Sequence, residues 1–241
     1  MKIITVESYE EMGSRAADVM GAQIIIKPNC VLGLATGSTP LSLYKELIKR
    51  NKEGILDFSR VKTVNLDEYA GLGIESGQSY VYFMRKNLFE HINIDIKNTY
   101  LPNGLNANAN EECARYEAVI KSLGGIDMQL LGIGHNGHIG FNEPADSFAV
   151  NTNCVDLQKS TIEANSRFFA KADDVPKKAY TMGTGTILKA KRILVVASGE
   201  GKADIVRQMI KGPVTPNVPA SALQLHPDVT VVLDRGAASK L

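Results

Sequence analysis

LGLATGSTP, residues 32–40, begins as an apolar strand and ends in four small or ring-locked residues. The apolar run stops at Ala35, and Thr39 followed by Pro40 predicts an N-cap and first helical position. The stretch therefore reads as a strand-to-helix turn. Gly37 lets backbone approach a ligand closely, and Ser38, Thr39 and the N–H groups of the first helical turn can all donate to an oxyanion. A phosphate monoester is the natural guest, and a merely well-capped βα turn is the alternative reading.

Working outward, five more short segments share the strand character of CVLGLA: KIITV, KTVNLD, MQLLGIG, RILVVAS and VTVVLD. They are near-continuous and rich in β-branched residues, the pattern of strands buried on both faces. Helical spacing fills the intervals. Ser8 with Glu11 forms a capping box ahead of MGSRAADVMGAQII, and PLSLYKELIKRN, SYVYFMRKNLFEHI, NEECARYEAVIKSLGG and GKADIVRQMIKG repeat apolar residues three and four apart. Alternation of this kind predicts an α/β fold: a doubly wound, mostly parallel sheet with helices on both faces, Rossmann-like, because parallel strands need crossover connections. Ligands in such folds gather at the carboxyl ends of the strands. Residues 1–241 are expected to form a single domain, with KGPVTPNVPAS a structured loop too short to be a linker.

Composition narrows the function classes. With 27 basic and 26 acidic residues the net charge is +1, so no overall field favours nucleic acid or an anionic membrane, and any anion must be bound locally. Cys30, Cys113 and Cys154 are odd in number and lack a CxxC spacing, which fits a reducing compartment. The N-terminus turns polar too soon for a signal segment, and no apolar run reaches membrane-spanning length. A cytoplasmic protein without membrane partners is expected.

The other strand ends carry polar residues in the same place. NLDEYAGL puts Asp67 and Glu68 after the third strand, as a proton-transfer base or as a capping or solvated pair. LLGIGHNGHIGFNEP crowds His135, Asn136, His138, Asn142 and Glu143 behind the fourth. His138 can act as acid and base, while Asn136 and Glu143 can orient it. His135, His138 and Glu143 also permit a metal reading, but their loop is broken by glycine and the side chains need not converge, so no metal is expected. Lys202 opens the helix after SGEG, as a phosphate partner, a Schiff-base lysine or a solvated first-turn residue. Arg167 in ANSRFFA suits bidentate phosphate contact or plain packing.

Read together, LATGSTP, NLDEY, LLGIGHNGHIGFNEP, ANSRFF, SGEGKA and LQLHPDVTVVLD closely resemble the glucosamine-6-phosphate deaminase family over nearly the whole chain. GHIGFNEP is the most specific piece, since the related 6-phosphogluconolactonases continue differently after the shared GH. The resemblance implies that Gly37, Ser38 and Thr39, with Arg167 and Lys202, hold a sugar phosphate. It implies that Asp67 moves a proton from C2 to C1, and that His138, assisted by Asn136 and Glu143, opens the pyranose ring. The substrate's own amine releases electrons, so no cofactor is implied. Some members of the family carry Asp where this chain has Asn136, so any negative charge beside His138 would come from Glu143. Longer relatives carry an allosteric site and form hexamers. This chain is expected to act as an unregulated monomer or small homo-oligomer on a small-molecule amino-sugar phosphate. A galactosamine-6-phosphate isomerase, a lactone hydrolase and a sugar-phosphate sensor stand as rivals on the same fold.

Overall fold

The computed structural model describes residues 1–157 and 175–241. Among these residues ten strands follow one another as β1 (Lys2–Val6), β2 (Val31–Leu34), β3 (Lys62–Asn65), β4 (Asp67–Tyr69), β5 (Thr99–Tyr100), β6 (Met128–Leu131), β7 (Asn153–Asp156), β8 (Lys178–Thr181), β9 (Ile193–Ala197) and β10 (Val229–Asp234). The longer helices are α1 (Tyr9–Ile26), α2 (Leu41–Lys52), α3 (Tyr80–Asn87) and α4 (Ala109–Ser122); after them come α5 (Thr184–Leu188), α6 (Ala203–Lys211) and α7 (Arg235–Ala238).

Seven strands form one parallel sheet in the order β1-β10-β9-β6-β2-β3-β5, with helices packed around it. The six strands read from the sequence lie in it, apart from the last residue of KTVNLD, Asp67. β2, β6 and β9 are buried along their whole length, which is why they read as near-continuous apolar runs, Gln129 of β6 being the polar exception. α1 turns Met12, Ala16, Ala17, Met20 and Ile24 inward at spacings of one and three or four residues. Each large side chain among these contributes about 1.5–3 kcal/mol by leaving water. Its N-cap is Ser8, which accepts the N–H of Glu11 at 3.2 Å, while Glu11 reaches back to the N–H of Glu7 at 2.9 Å, one residue beyond the usual partner.

Chain order reverses between β2 and β6. From β2 the sheet grows through β3 and β5 on one side, and through β6, β9 and β10 on the other. The loops after β2 and β6 therefore diverge and leave a crevice, the usual ligand site of open α/β sheets.

Three features depart from the sequence reading. β5 was not foreseen; its two half-buried residues are too few to show a period. A second, antiparallel sheet of order β4-β8-β7 was also missed, because its strands are short and, in β4 and β7, polar. The expected strand KTVNLD is in fact two: β3 ends at Asn65, and after Leu66 the chain enters β4 at Asp67. Leu66 is tied to both layers, donating its N–H to Leu34 at 3.1 Å and accepting that of Met182 at 2.8 Å.

The expected cap of α2 is also corrected. Pro40, not Thr39, occupies the cap position, with φ −78° and ψ −3° and no side-chain cap bond. The capping role passes to Tyr9 of α1, whose hydroxyl accepts the N–H of Ser42 at 3.1 Å and donates to the Ser38 carbonyl at 2.7 Å. A phenol brought from another helix satisfies the N-terminus, which leaves the Thr39 hydroxyl uncommitted.

Candidate active site

The crevice at the switch point is a cavity of about 430 Å³. The loop after β2 forms one wall. Gly37 has φ +96°, a left-handed value that other residues rarely adopt, and nothing lies within 4 Å of where its Cβ would be. Gly37, Ser38 and Thr39 line the cavity, and neither hydroxyl has a partner among the described residues. Lys202 lines it from the far side of the switch point, with Nζ donating to the Ile133 carbonyl at 2.8 Å, and burial lowers its proton affinity. A half-buried ammonium facing a loop of open donors is an electrostatic seat for an anion. Arg167 lies outside the described residues.

Asp67 and Glu68 separate into two roles. Glu68 accepts the N–H groups of Tyr69, Tyr80 and Val81 at 2.8, 2.9 and 2.9 Å, so it is the anchor for the N-terminus of α3. Burial pushes its carboxyl up to about 7, against the pull of those donors. Asp67 lines the cavity and accepts no hydrogen bond among the described residues. Burial, reinforced by the charge of Glu68, raises its carboxyl to about 8. A carboxylate with that proton affinity, once ionised, is a far stronger base than a surface aspartate.

His138, Asn136 and Glu143 come together. Asn136 donates its amide to Glu143 Oε2 at 2.5 Å, which fixes the orientation of the amide and turns its oxygen toward His138 Nδ1 at 2.7 Å. Glu143 Oε2 also lies 3.3 Å from that nitrogen. Two acceptors at Nδ1 require it to carry the proton, so Nε2 holds the lone pair in the neutral ring. A Cβ at Gly134 would overlap the His138 ring, so the first glycine of GHNGH makes room for the imidazole. His135 also lines the cavity, but Nδ1 of His138 is already committed to Asn136 and Glu143.

Residues that sequence reasoning did not single out complete the walls: Thr36, Leu66, Tyr80 and Phe141. The rings of Tyr80 and Phe141 are parallel within 5° at 6.0 Å. They are far apart in sequence, and Tyr69 of β4 packs against both rings.

An α/β enzyme with an anion seat at its switch point and separate acid–base groups beside it is the class that fold and site define. The chain belongs to the family of glucosamine-6-phosphate isomerases and 6-phosphogluconolactonases, whose match spans residues 6–232. It is 56% identical to a glucosamine-6-phosphate deaminase of Clostridium perfringens (strain SM101 / Type A), covering both chains fully. A glucosamine-6-phosphate deaminase of Clostridioides difficile (strain 630) is 54% identical over all of this chain and 97% of its own. A solved structure described as a monomeric glucosamine-6-phosphate deaminase superposes with a TM-score of 0.96 at 48% identity, with full coverage of both chains. A 6-phosphogluconolactonase from Leishmania guyanensis, at 22% identity and a TM-score of 0.76, shares the fold.

Proposed function

We propose that this enzyme converts glucosamine 6-phosphate and water into fructose 6-phosphate and ammonia. The observation that carries the reading is Asp67, a buried carboxyl without hydrogen bonds among the described residues, on the same cavity as the donor-rich loop Gly37–Thr39. The full-length identity to deaminases supports the choice of substrate.

In this reading the loop N–H groups, the hydroxyls of Ser38 and Thr39, and Lys202 hold the phosphate, with Arg167 as a further cation. Neutral His138 takes the proton of the C1 hydroxyl through Nε2 and returns it to the ring oxygen, opening the pyranose. The Asn136–Glu143 pair holds the proton on Nδ1 and stabilises the imidazolium that forms between the two transfers. Ionised Asp67 then removes the proton from C2 while O1 takes one from water, giving an enolamine, and Asp67 delivers its proton to C1. The resulting C2 iminium takes up water and expels ammonia, leaving the ketone. Phosphate anchoring supplies the binding energy that holds C2 against the base.

The reaction is catabolic in direction, releasing the amino-sugar nitrogen, and belongs in the cytoplasm where sugar phosphates are kept. No helix among the described residues is long and apolar enough to cross a membrane. The chain works as a monomer or small homo-oligomer, in line with the monomeric solved relative.

The test is a coupled assay for ammonia and fructose 6-phosphate, run on glucosamine 6-phosphate, galactosamine 6-phosphate and 6-phosphogluconolactone, with and without a chelator. Chelator-resistant formation of both products from glucosamine 6-phosphate is expected. Hydrolysis of the lactone alone, or tight sugar-phosphate binding without turnover, sinks the proposal.

A further inference from the structure

Thr181 is the register partner of Asp67 across the antiparallel pair β4 and β8, and it is fully buried. Its Oγ1 accepts the backbone N–H of Phe141 at 3.1 Å. The next residue, Met182, offers its carbonyl to Asn142 Nδ2 at 2.8 Å, and the same amide group donates to the Ile139 carbonyl at 2.8 Å. The turn from Ile139 to Asn142, closed by the Asn142 N–H to the Ile139 carbonyl at 3.1 Å, is thus fastened to the end of β8 at two points.

That turn is the wall against which Asp67 rests. Gly140 sits at φ +58°, and a Cβ there would lie 2.9 Å from Thr181 Oγ1 and 3.4 Å from Asp67 Oδ2. Phe141 extends the same turn into its parallel stack with Tyr80. Since no hydrogen bond among the described residues orients the Asp67 carboxyl, neighbouring atoms must select its rotamer. Asn142 Oδ1, meanwhile, is buried without a partner among the described residues. Such an orphan costs about 1–3 kcal/mol. A side chain kept at that cost for its two amide donors points to geometry, not stability, as its purpose.

We propose that Thr181 and Asn142 are positioning residues for proton transfer at C2, clamping the Gly140–Asn142 turn against Asp67 so that its carboxyl keeps one rotamer and stays dry. The proposal rests on Asp67 being the base. Releasing the clamp lets the turn drift and water reach the carboxyl, which blunts the base and misaligns it. Phosphate binding at the β2 loop is untouched.

The experiment compares the full chain with its Thr181→Val, Thr181→Ser and Asn142→Ala variants on glucosamine 6-phosphate carrying protium or deuterium at C2. Loss of alignment by a fraction of an ångström lowers kcat by roughly tenfold to a hundredfold in Thr181→Val, with KM changed by less than about threefold. The C2 isotope effect on kcat rises, and the acid limb of the kcat/KM profile moves to lower pH as the carboxyl is hydrated. Thr181→Ser, which keeps the oxygen, restores kcat to within about threefold, and Asn142→Ala follows Thr181→Val. A Thr181→Val enzyme with the parent's kcat, isotope effect and pH profile overturns the proposal. So does one whose activity falls only with its folded fraction at an unchanged isotope effect. Failure of the underlying reading looks different: the parent releases no ammonia, or Asp67→Asn still exchanges the C2 hydrogen, and either result overturns both.

Discussion

Asp67 and Glu68 are neighbours on β4 and both buried, yet Glu68 accepts three backbone N–H groups while Asp67 accepts no hydrogen bond among the described residues. One carboxyl is therefore spent on holding a helix, and the other is available for the proton transfer proposed above. Asp67→Asn should lower kcat by roughly 10²–10⁴-fold with little change in KM. In the parent, kcat/KM should climb as pH rises toward about 8, where the Asp67 carboxyl ionises. A flat profile through that range would remove Asp67 from the role of base.

The same carboxyl imposes a cost on folding. In the unfolded chain it loses its proton near 3.8 and in the folded protein near 8, so between those values the native state binds a proton that the unfolded state has released. Stability then falls as pH rises through that window, and the loss is complete above it. Asp67→Asn should be the more stable protein in alkaline solution, by on the order of 2 kcal/mol after relaxation around the charge, with the gap closing toward acid. Denaturant midpoints measured at both ends of the window check this; a parent that outlasts the variant in alkali contradicts it.

Glu68→Gln keeps one acceptor oxygen and cannot satisfy all three donors at the start of α3. A loss of about 1–3 kcal/mol is expected. Because α3 carries Tyr80 to the cavity, kcat should fall as well. Thermal unfolding and steady-state kinetics on one preparation test both effects.

His138→Gln removes the group that, in the proposed mechanism, moves the proton from the C1 hydroxyl to the ring oxygen. Turnover should drop roughly 10²–10⁴-fold and become limited by spontaneous ring opening, so that it no longer depends on which anomer is supplied. Glu143→Gln should act in the same direction but less severely, since Asn136 still accepts from Nδ1 at 2.7 Å. Stopped-flow assays on freshly dissolved anomers provide the measurement.

Lys202→Met should raise KM roughly tenfold to a hundredfold with a smaller effect on kcat, the loss of one charge-assisted contact to the phosphate. Gly37→Ala meets open space but must hold a left-handed φ of +96°. It should cost about 1–2 kcal/mol of stability and weaken inorganic phosphate as a competitive inhibitor. Equal inhibition of parent and variant would detach this loop from the anion.

What the sequence disclosed, and what it withheld, follows from the range of the interactions concerned. β2, β6 and β9 are buried along their whole length, so their apolar runs are visible locally, and the polar residues crowding the strands' carboxyl ends are what drew Asp67, His138, Glu143 and Lys202 into the proposed site. The split of KTVNLD at Leu66 was hidden, because it depends on Thr181 pairing with Asp67 from more than a hundred residues away. The cap of α2 was misread for the same reason: Thr39-Pro40 is a good local signal, but Tyr9 is a better partner once α1 and α2 pack. Thr181, Tyr80 and Phe141 carry no local signature: Thr181 meets Asp67 through the small sheet, and Phe141 is tied to Thr181 by its N–H.

Leu66 hands the chain from one sheet to the other in a single step, so the base and the anion loop belong to different layers held at a set separation. In the proposed mechanism the phosphate is gripped at the end of β2 and the proton is taken at the start of β4. On that reading, a sugar phosphate one carbon shorter or longer would still dock its phosphate but present the wrong carbon to Asp67. The spacing of two sheets would then work as a gauge of chain length.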